Sequence, residues 1–482
     1  MVKLFARPLP IDPVTQKANA INIFSIGKPY MRAFHFSWLS FLTAFTGWFA
    51  IAPIMPAIKK DLNLTVAEVG DSNLTSIAST IIFRVIIGPL CDRFGPKRIM
   101  AALLVVGAIP VGLSGLANNA SEFITLRFFI GVIGATFVPC QFWTTQMFSS
   151  SVVGSANALV GGWGNMGAGV TYVIMPIVLE GILSRGVSEH NAWRIAMVVP
   201  AGLCLVVGLG CLLFSDDCPQ GDWSRRGLSI EQTSKYDADE VYNANSEKNN
   251  ATKVEKSDAA SIDSETNVPA RTAVKNPTIG TFLLALKNPN VIILMFMYAC
   301  SFGIELAVDN VIGYFFYEHF ALSLKNAGLI GSLFGLMNLF SRATGGFLSD
   351  YFYQKAGIRG RLLVHFIMIF LNGIFLIIFH FSLTGLNQSI VILIIFSYFT
   401  QACCGSVFGI VPFVDPTIVG AISGLVGAGG NVGGLIFTGV FKAYSHDTPA
   451  AFLVLGGVTI GVSLMTFLMK IDGRRLLEIR RK

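Results

Sequence analysis

The chain has 482 residues, of which 53% are hydrophobic and 13% charged, with a formal net charge of +7; an ordinary soluble domain is about 25% charged. So low a charged fraction over so long a chain excludes a soluble globular protein and calls for many membrane spans. The basic excess is scattered over several short loops, which excludes a nucleic-acid-binding patch as its reason.

The opening stretch MVKLFARPLPIDPVTQKANAIN lacks an apolar core, so no cleavable signal peptide is expected and 1–32 is read as a cytoplasmic segment. Apolar runs of about 20 residues, the length a helix needs to cross a bilayer, follow. They lie at 33–57, 70–91, 99–117, 122–147, 155–182, 193–214, 290–317, 325–350, 361–382, 388–411, 417–443 and 450–470. The expectation is therefore an all-α membrane protein of twelve transmembrane helices in two six-helix halves, 33–214 and 290–470. Between the halves, 215–289 is rich in Ser, Asn, Asp, Glu and Lys and is expected to be a disordered cytoplasmic linker. A basic cytoplasmic tail, 471–482, ends the chain.

Lys and Arg set the orientation. With both termini cytoplasmic, the inner loops hold Arg93, Lys97, Arg98, Lys355, Arg359 and Arg361, whereas the outer segments hold only Lys59, Lys60, Arg185, Arg194, Lys325 and Lys442. Sequons at Asn63, Asn119 and Asn387 fall on short outer loops. The eight cysteines lie in or beside spans without metal-ligand spacing and read as small packing residues, and the six histidines are scattered. Neither a metal site, a cofactor nor an enzyme's nucleophile arrangement is expected.

Two spans carry a permanent cation. Arg84 lies within IIFRVIIGPLCDRFG in the second span and Arg342 within LFSRATGGFLSD in the eighth. Overlaying them brings Gly88, Leu90 and Asp92 onto Gly346, Leu348 and Asp350, so the two stretches are copies. The fifth and eleventh spans repeat too: GSANALVGGWGNMGAG at 154–169 aligns without a gap with GAISGLVGAGGNVGGL at 420–435, pairing Asn165 with Asn431. Two parallel six-span repeats with the substrate between them at mid-membrane are the plan of alternating-access carriers. Each arginine lies two helical turns, about 12 Å, inside its loop aspartate, near the middle of the bilayer. Both should face a central cavity at similar depth.

A buried arginine is read as functional by default. Its planar fork of donors suits a small flat oxyanion such as nitrate or nitrite. The alternative is a neutral network with Glu305 and Asp309, the deep acids of the seventh span. Tyr298, Phe302, Glu305 and Asp309 fall on one face of that span. The two carboxyls are candidates for carrying a coupled proton or, instead, for pairing with the arginines. Asn165 and Asn431, set among glycines, are expected to line the substrate path. Arg127 near the outer end of the fourth span either snorkels to the surface or takes part in coupling.

These stretches carry a resemblance. GPLCDRFGPKR at 88–98 is similar to the loop motif of the major facilitator superfamily, with Gly88, Asp92, Arg93 and Gly95, and GGFLSD with Asp350 is its weaker echo. RFFIGVIG resembles the fourth-span motif of proton-coupled members. GGWGNMGAG and GAGGNVGG resemble the paired signature of the nitrate/nitrite porter family, in its eukaryotic high-affinity branch of plant and algal type. The resemblance implies that Arg84 and Arg342 bind the anion, that Tyr298, Phe137 and Phe302 line it, and that Asn165 and Asn431 are the signature asparagines. It implies proton symport across the plasma membrane, with sodium coupling and an accessory subunit left open. A nitrate/nitrite exchanger, a carrier of another small anion and a nitrate sensor signalling through the central loop are the rival expectations.

Overall fold

A computed structural model describes residues 9–149, 152–226, 279–415, 418–471 and 473–476. The bundle is helical throughout: α1 (Tyr30–Asp61), α2 (Val66–Phe94), α3 (Pro96–Leu116), α4 (Ala120–Met147), α5 (Val153–Leu183) and α6 (Glu189–Phe214) form one half. The second half contains α7 (Pro289–His319), α8 (Leu324–Leu336 and Ser341–Ala356), α9 (Ile358–Ser382), α10 (Leu386–Phe413), α11 (Val419–Ala443) and α12 (Thr448–Leu468). Eleven of these are long and apolar enough to cross a membrane as single stretches. The eighth is two helices joined by a 3-10 turn at Met337–Leu339, and the backbone leaves helical geometry at Phe340 just before Arg342. It makes the twelfth span.

The short turns at the face opposite the termini are built from polar caps. Thr65 and Glu68 form a reciprocal capping box at the start of α2, and Asn119 caps Glu122 N at 2.9 Å at the start of α4. Ser323 and Asp447 do the same for α8 and α12. Each cap satisfies donors that would otherwise be orphaned where the chain re-enters an apolar medium.

The halves meet along two seams. α5 packs on both parts of α8, and α2 packs on α11. The repeat exchanges these pairs, since the second span corresponds to the eighth and the fifth to the eleventh. The seams are therefore related by the internal pseudo-symmetry, with the arginine-bearing helix of each half against the glycine-rich helix of the other.

On the face bearing the termini, composition alone misleads. Of the disordered linker expected over 215–289, residues 215–226 are packed and Ile279–Leu286 forms a helix. Asp217 Oδ1 accepts from Lys97 N at 2.9 Å, Trp143 Nε1 donates to Asp216 O at 2.9 Å, and the ring of Trp223 is buried against Phe142. Gly95, with φ +88°, joins α2 to α3 here; a Cβ would stand 2.5 Å from Asp217 Oδ1, so only glycine fits. The rest of the expected linker up to residue 278, the first eight residues and 477–482 lie outside the described residues.

Candidate functional site

Arg84 and Arg342 are 5% and 2% exposed, one in each half. Arg84 Nε and Nη2 donate to Gly134 O at 3.1 and 3.0 Å. With its amide oxygen turned toward α2, Asn431 accepts from Arg84 Nη1 at 2.9 Å and Nε at 3.1 Å. Arg342 Nη1 donates to Gly161 O at 3.3 Å and Nη2 to the Tyr298 hydroxyl at 3.1 Å. Each guanidinium thus takes an acceptor from the opposite half: Asn431 on α11 for Arg84, Gly161 on α5 for Arg342.

Aromatic rings fill the space between. The guanidinium carbon of Arg84 stands 4.8 Å from the Phe137 ring centre and 5.2 Å from that of Phe302, and that of Arg342 stands 5.7 Å from Phe302. Tyr298 and Phe302 stack at 5.2 Å, and Phe408 meets Tyr298 edge-on at 5.1 Å. The central cavity expected between the arginines is therefore closed by these rings. What remains beside Arg342 is a void of about 10 Å³ bounded by Phe137, Gln141, Asn157 and Phe408, room for a single water.

The helices that bring these groups together are irregular at this depth. α4 tightens to 3-10 geometry over Val132–Thr136, α7 widens to a π turn over Ala299–Gly303, and α8 breaks at Met337–Leu339. Gly134 belongs to the first, Phe302 to the second, and Arg342 follows the third. Such departures from the i→i−4 ladder are common at functional sites. Opposite the π turn, a Cβ at Gly430 would stand 2.5 Å from Tyr298 Cδ1, so α11 approaches the ring as only glycine allows.

The acids differ from one another. Glu305 Oε1 accepts from Asn338 Nδ2 at 2.7 Å, its Oε2 from Cys404 Sγ at 3.4 Å, and Arg342 Nη2 lies 3.9 Å from Oε2. Asp309, 1% exposed, has no hydrogen-bond partner on either carboxylate oxygen among the described residues. Arg84 meets no carboxylate within salt-bridge distance among the described residues. Neutral oxygens hold it without cancelling its charge.

The repeat-related asparagines have parted roles. Asn431 reaches Arg84, whereas Asn165 is fully buried with neither amide atom partnered among the described residues. Arg127 does not snorkel. It is 1% exposed and donates to Trp48 O at 3.1 Å, Asn73 Oδ1 at 2.7 Å and Asn310 Oδ1 at 3.4 Å. Being on α4 two turns before Gly134, it is enclosed by α1, α2 and α7.

The loop motif is asymmetric in use. Asp350 accepts from Arg361 Nη2 at 2.7 Å and from Ser155 Oγ on α5 at 2.9 Å, joining the halves. Gly346 packs on Ala158, while its counterpart Gly88 has nothing within 4 Å of a Cβ position. Arg93 is exposed and lies over Phe94 at 5.1 Å; the Asp92 side chain is outside the described residues.

Sequence reasoning missed Gly134, Gly161, Asn338, Cys404 and Phe408. Two are backbone carbonyls, which no residue type announces. Cys404 was read as packing, and only its place opposite Glu305 reveals the thiol as a donor.

A family model, the Major Facilitator Superfamily, matches residues 37–438. The chain is 40% identical over 463 residues to Nitrate transporter 2.2 of Chlamydomonas reinhardtii, covering 94% of this chain and 83% of that one. It is 35% identical over 457 residues to High affinity nitrate transporter 2.5 of Arabidopsis thaliana, covering 95% and 82%. A solved proton:xylose symporter of the major facilitator superfamily superposes with a TM-score of 0.63 at 13% identity, over 92% of this chain and 97% of that one. That likeness is one of fold.

Proposed function

Since the chain belongs to the Major Facilitator Superfamily, we propose that it carries nitrate, and nitrite with it, into the cytoplasm across the plasma membrane, both termini being cytoplasmic. The nitrate transporters of alga and plant named above are its relatives over nearly the whole chain. The observation that carries the reading is the pair of buried arginines, one per half. They share the ring of Phe302 and, among the described residues, have a single carboxylate, Glu305, within salt-bridge distance. Such a cluster is short of negative charge, and a planar monoanion supplies it.

In this mechanism the anion displaces Phe302 and Tyr298 and takes a fork from each arginine. Arg342 lets go of the Tyr298 hydroxyl, and Arg84 keeps the Gly134 carbonyl. Because the ligands come from both halves, binding draws α2 and α8 toward a common centre, and the seams α5–α8 and α2–α11 rock about it. Phe137, Tyr298 and Phe302 exclude water, which strengthens each charged hydrogen bond.

Charge balance couples the anion to protons. Each proton taken up by the Glu305–Asp309 pair leaves the cluster one unit more positive, and a bound monoanion offsets it. Moving nitrate alone into an interior-negative cell is opposed by about 2.3 kcal/mol per ~100 mV. More than one proton per anion reverses that sign.

The test is current under voltage clamp in cells expressing the chain, on adding nitrate at acid and at alkaline pH. Inward current, larger at acid pH, is expected. Isotopic uptake without current would replace symport with nitrate/nitrite exchange. Neither current nor uptake, with the protein at the surface, would favour a sensor or a carrier that needs an accessory subunit.

A further inference from the structure

A second cavity lies between the halves at the face opposite the termini, with a volume of about 440 Å³. It is far larger than the void beside Arg342, and its charged rim comes from both halves. Lys59 ends α1 and donates to the Tyr314 hydroxyl at 2.9 Å; Lys442 ends α11 and is paired with Asp71 of α2. Glu318, His319 and His446 also face it. Of the few basic residues on this face of the chain, two therefore converge on one opening.

The decisive group stands behind the cavity wall, one hydrogen bond away. Asn73 lines the cavity, and its Oδ1 accepts from Arg127 Nη2 at 2.7 Å. Arg127 has only neutral partners from both halves: Trp48 O, Asn73 and Asn310. Its Nε is buried without a partner, and no carboxylate lies within salt-bridge distance among the described residues. A fully buried cation with no counter-charge is costly and attracts an anion into reach. Arg127 also stands on α4 two turns, a rise of roughly 11 Å, from Gly134, whose carbonyl holds Arg84.

We infer that this cavity is a first anion site, separate from the arginine pair, that takes a small monovalent oxyanion from the external solution. Lys59 and Lys442 draw the anion to the rim, the amide of Asn73 meets it at the wall that the uncancelled charge of Arg127 backs, and the arginine pair receives it next. Asp71 is the competitor for Lys442 and lowers the rim's attraction while paired. The inference rests on the transport reading and deepens it, since it assigns capture and occlusion to different residues.

The test is initial-rate uptake of isotopic nitrate against concentration, at two ionic strengths, with surface expression measured for every variant. Capture by charge predicts that Lys59→Gln with Lys442→Gln raises KM roughly threefold to tenfold, leaves the maximal rate largely intact, and flattens the salt dependence. Asp71→Asn should lower KM, because it frees Lys442. Arg127→Gln should raise KM more than the rim variants, and Arg127→Lys should restore most of it. A purely structural gate pair would move Lys442→Gln and Asp71→Asn in the same direction, and that result overturns the site. So does an unaltered KM in the double lysine variant. If the unmutated chain takes up no nitrate, the proposed function fails and the capture site falls with it.

Discussion

Arg84 and Phe302 belong to opposite halves of the bundle, and the guanidinium carbon of one stands 5.2 Å from the ring centre of the other. That contact closes the centre. The ring occupies the space the proposed clamp assigns to the substrate, and Arg342 leans on the same ring at 5.7 Å. The two cations are held apart by an aromatic face whose partial negative charge each of them meets. In the proposed clamp an entering anion would offer each a stronger partner than the ring, so that binding and opening of this contact would be one event.

Replacing either arginine by lysine keeps the charge and loses the fork. A lysine at 84 cannot serve both the Gly134 carbonyl and the Asn431 amide as the guanidinium does. A charged hydrogen bond contributes about 1.5–3 kcal/mol, so KM for nitrate uptake should rise about tenfold or more in Arg84→Lys and in Arg342→Lys. Unchanged uptake in either variant would remove the clamp.

The two acids should separate in their effects. Glu305 gives its oxygens to Asn338 and Cys404 and lies beside Arg342, so a proton taken there disturbs three contacts. Asp309 can exchange a proton without breaking a side-chain hydrogen bond. Asp309→Asn is therefore expected to abolish the pH dependence of nitrate-evoked current. Glu305→Gln is expected to weaken that dependence and also to lower nitrate affinity, since Arg342 loses its counter-charge. An intact pH response in Asp309→Asn would move coupling to another group.

Much of this was legible in the chain because two physical signals are strong in a membrane protein. Apolar runs mark spans, and an ionisable residue inside one marks a site; both pointed to Arg84, Arg342, Glu305 and Asp309. The internal repeat paired the arginines and the asparagines. What the sequence hid is backbone irregularity. Nothing in IGVIGATFV, YACSFGI or GLMNLFS announces 3-10, π and broken geometry, because those states depend on neighbouring helices and not on local propensity. The closed centre was hidden for the same reason: helical spacing places Phe302 on a face but does not say which partner fills the gap. Residues 215–226 misled composition because Asp217 and Trp223 find partners in the α2–α3 turn and on α4, far away in the chain.

Gly430 tests how closely the site depends on helix approach. A methyl there would stand 2.5 Å from Tyr298 Cδ1 and 3.0 Å from Phe302 Cδ1, so the stacked rings must shift. Gly430→Ala should raise KM severalfold at normal surface expression, roughly the effect of overpacking by one methyl in a tight contact. Gly439 on the same helix has nothing near its Cβ position, and Gly439→Ala should be silent. Equal effects at both positions would show that helix propensity, not ring placement, is what changed.

The link from Asp350 to Ser155 gives the last prediction. It joins the halves on the face bearing the termini, at 2.9 Å, while Arg361 anchors the same carboxylate to α9 at 2.7 Å. The repeat counterpart of Asp350 is Asp92, whose side chain lies outside the described residues. With the termini cytoplasmic as proposed, the Asp350–Ser155 contact contributes to the inner closure on the α5–α8 seam, and removing the charge at 350 should loosen it. A cysteine at Asn157, which borders the small void beside Arg342, reports the opening. In inside-out vesicles a membrane-impermeant maleimide should label Asn157→Cys severalfold faster when Asp350→Asn is added, with nitrate slowing the reaction again. The native cysteines are all buried, and the same protein without the introduced thiol sets the background. If labelling keeps its original rate, the aspartate holds α8 to α9 alone and the inner closure lies elsewhere along the seam.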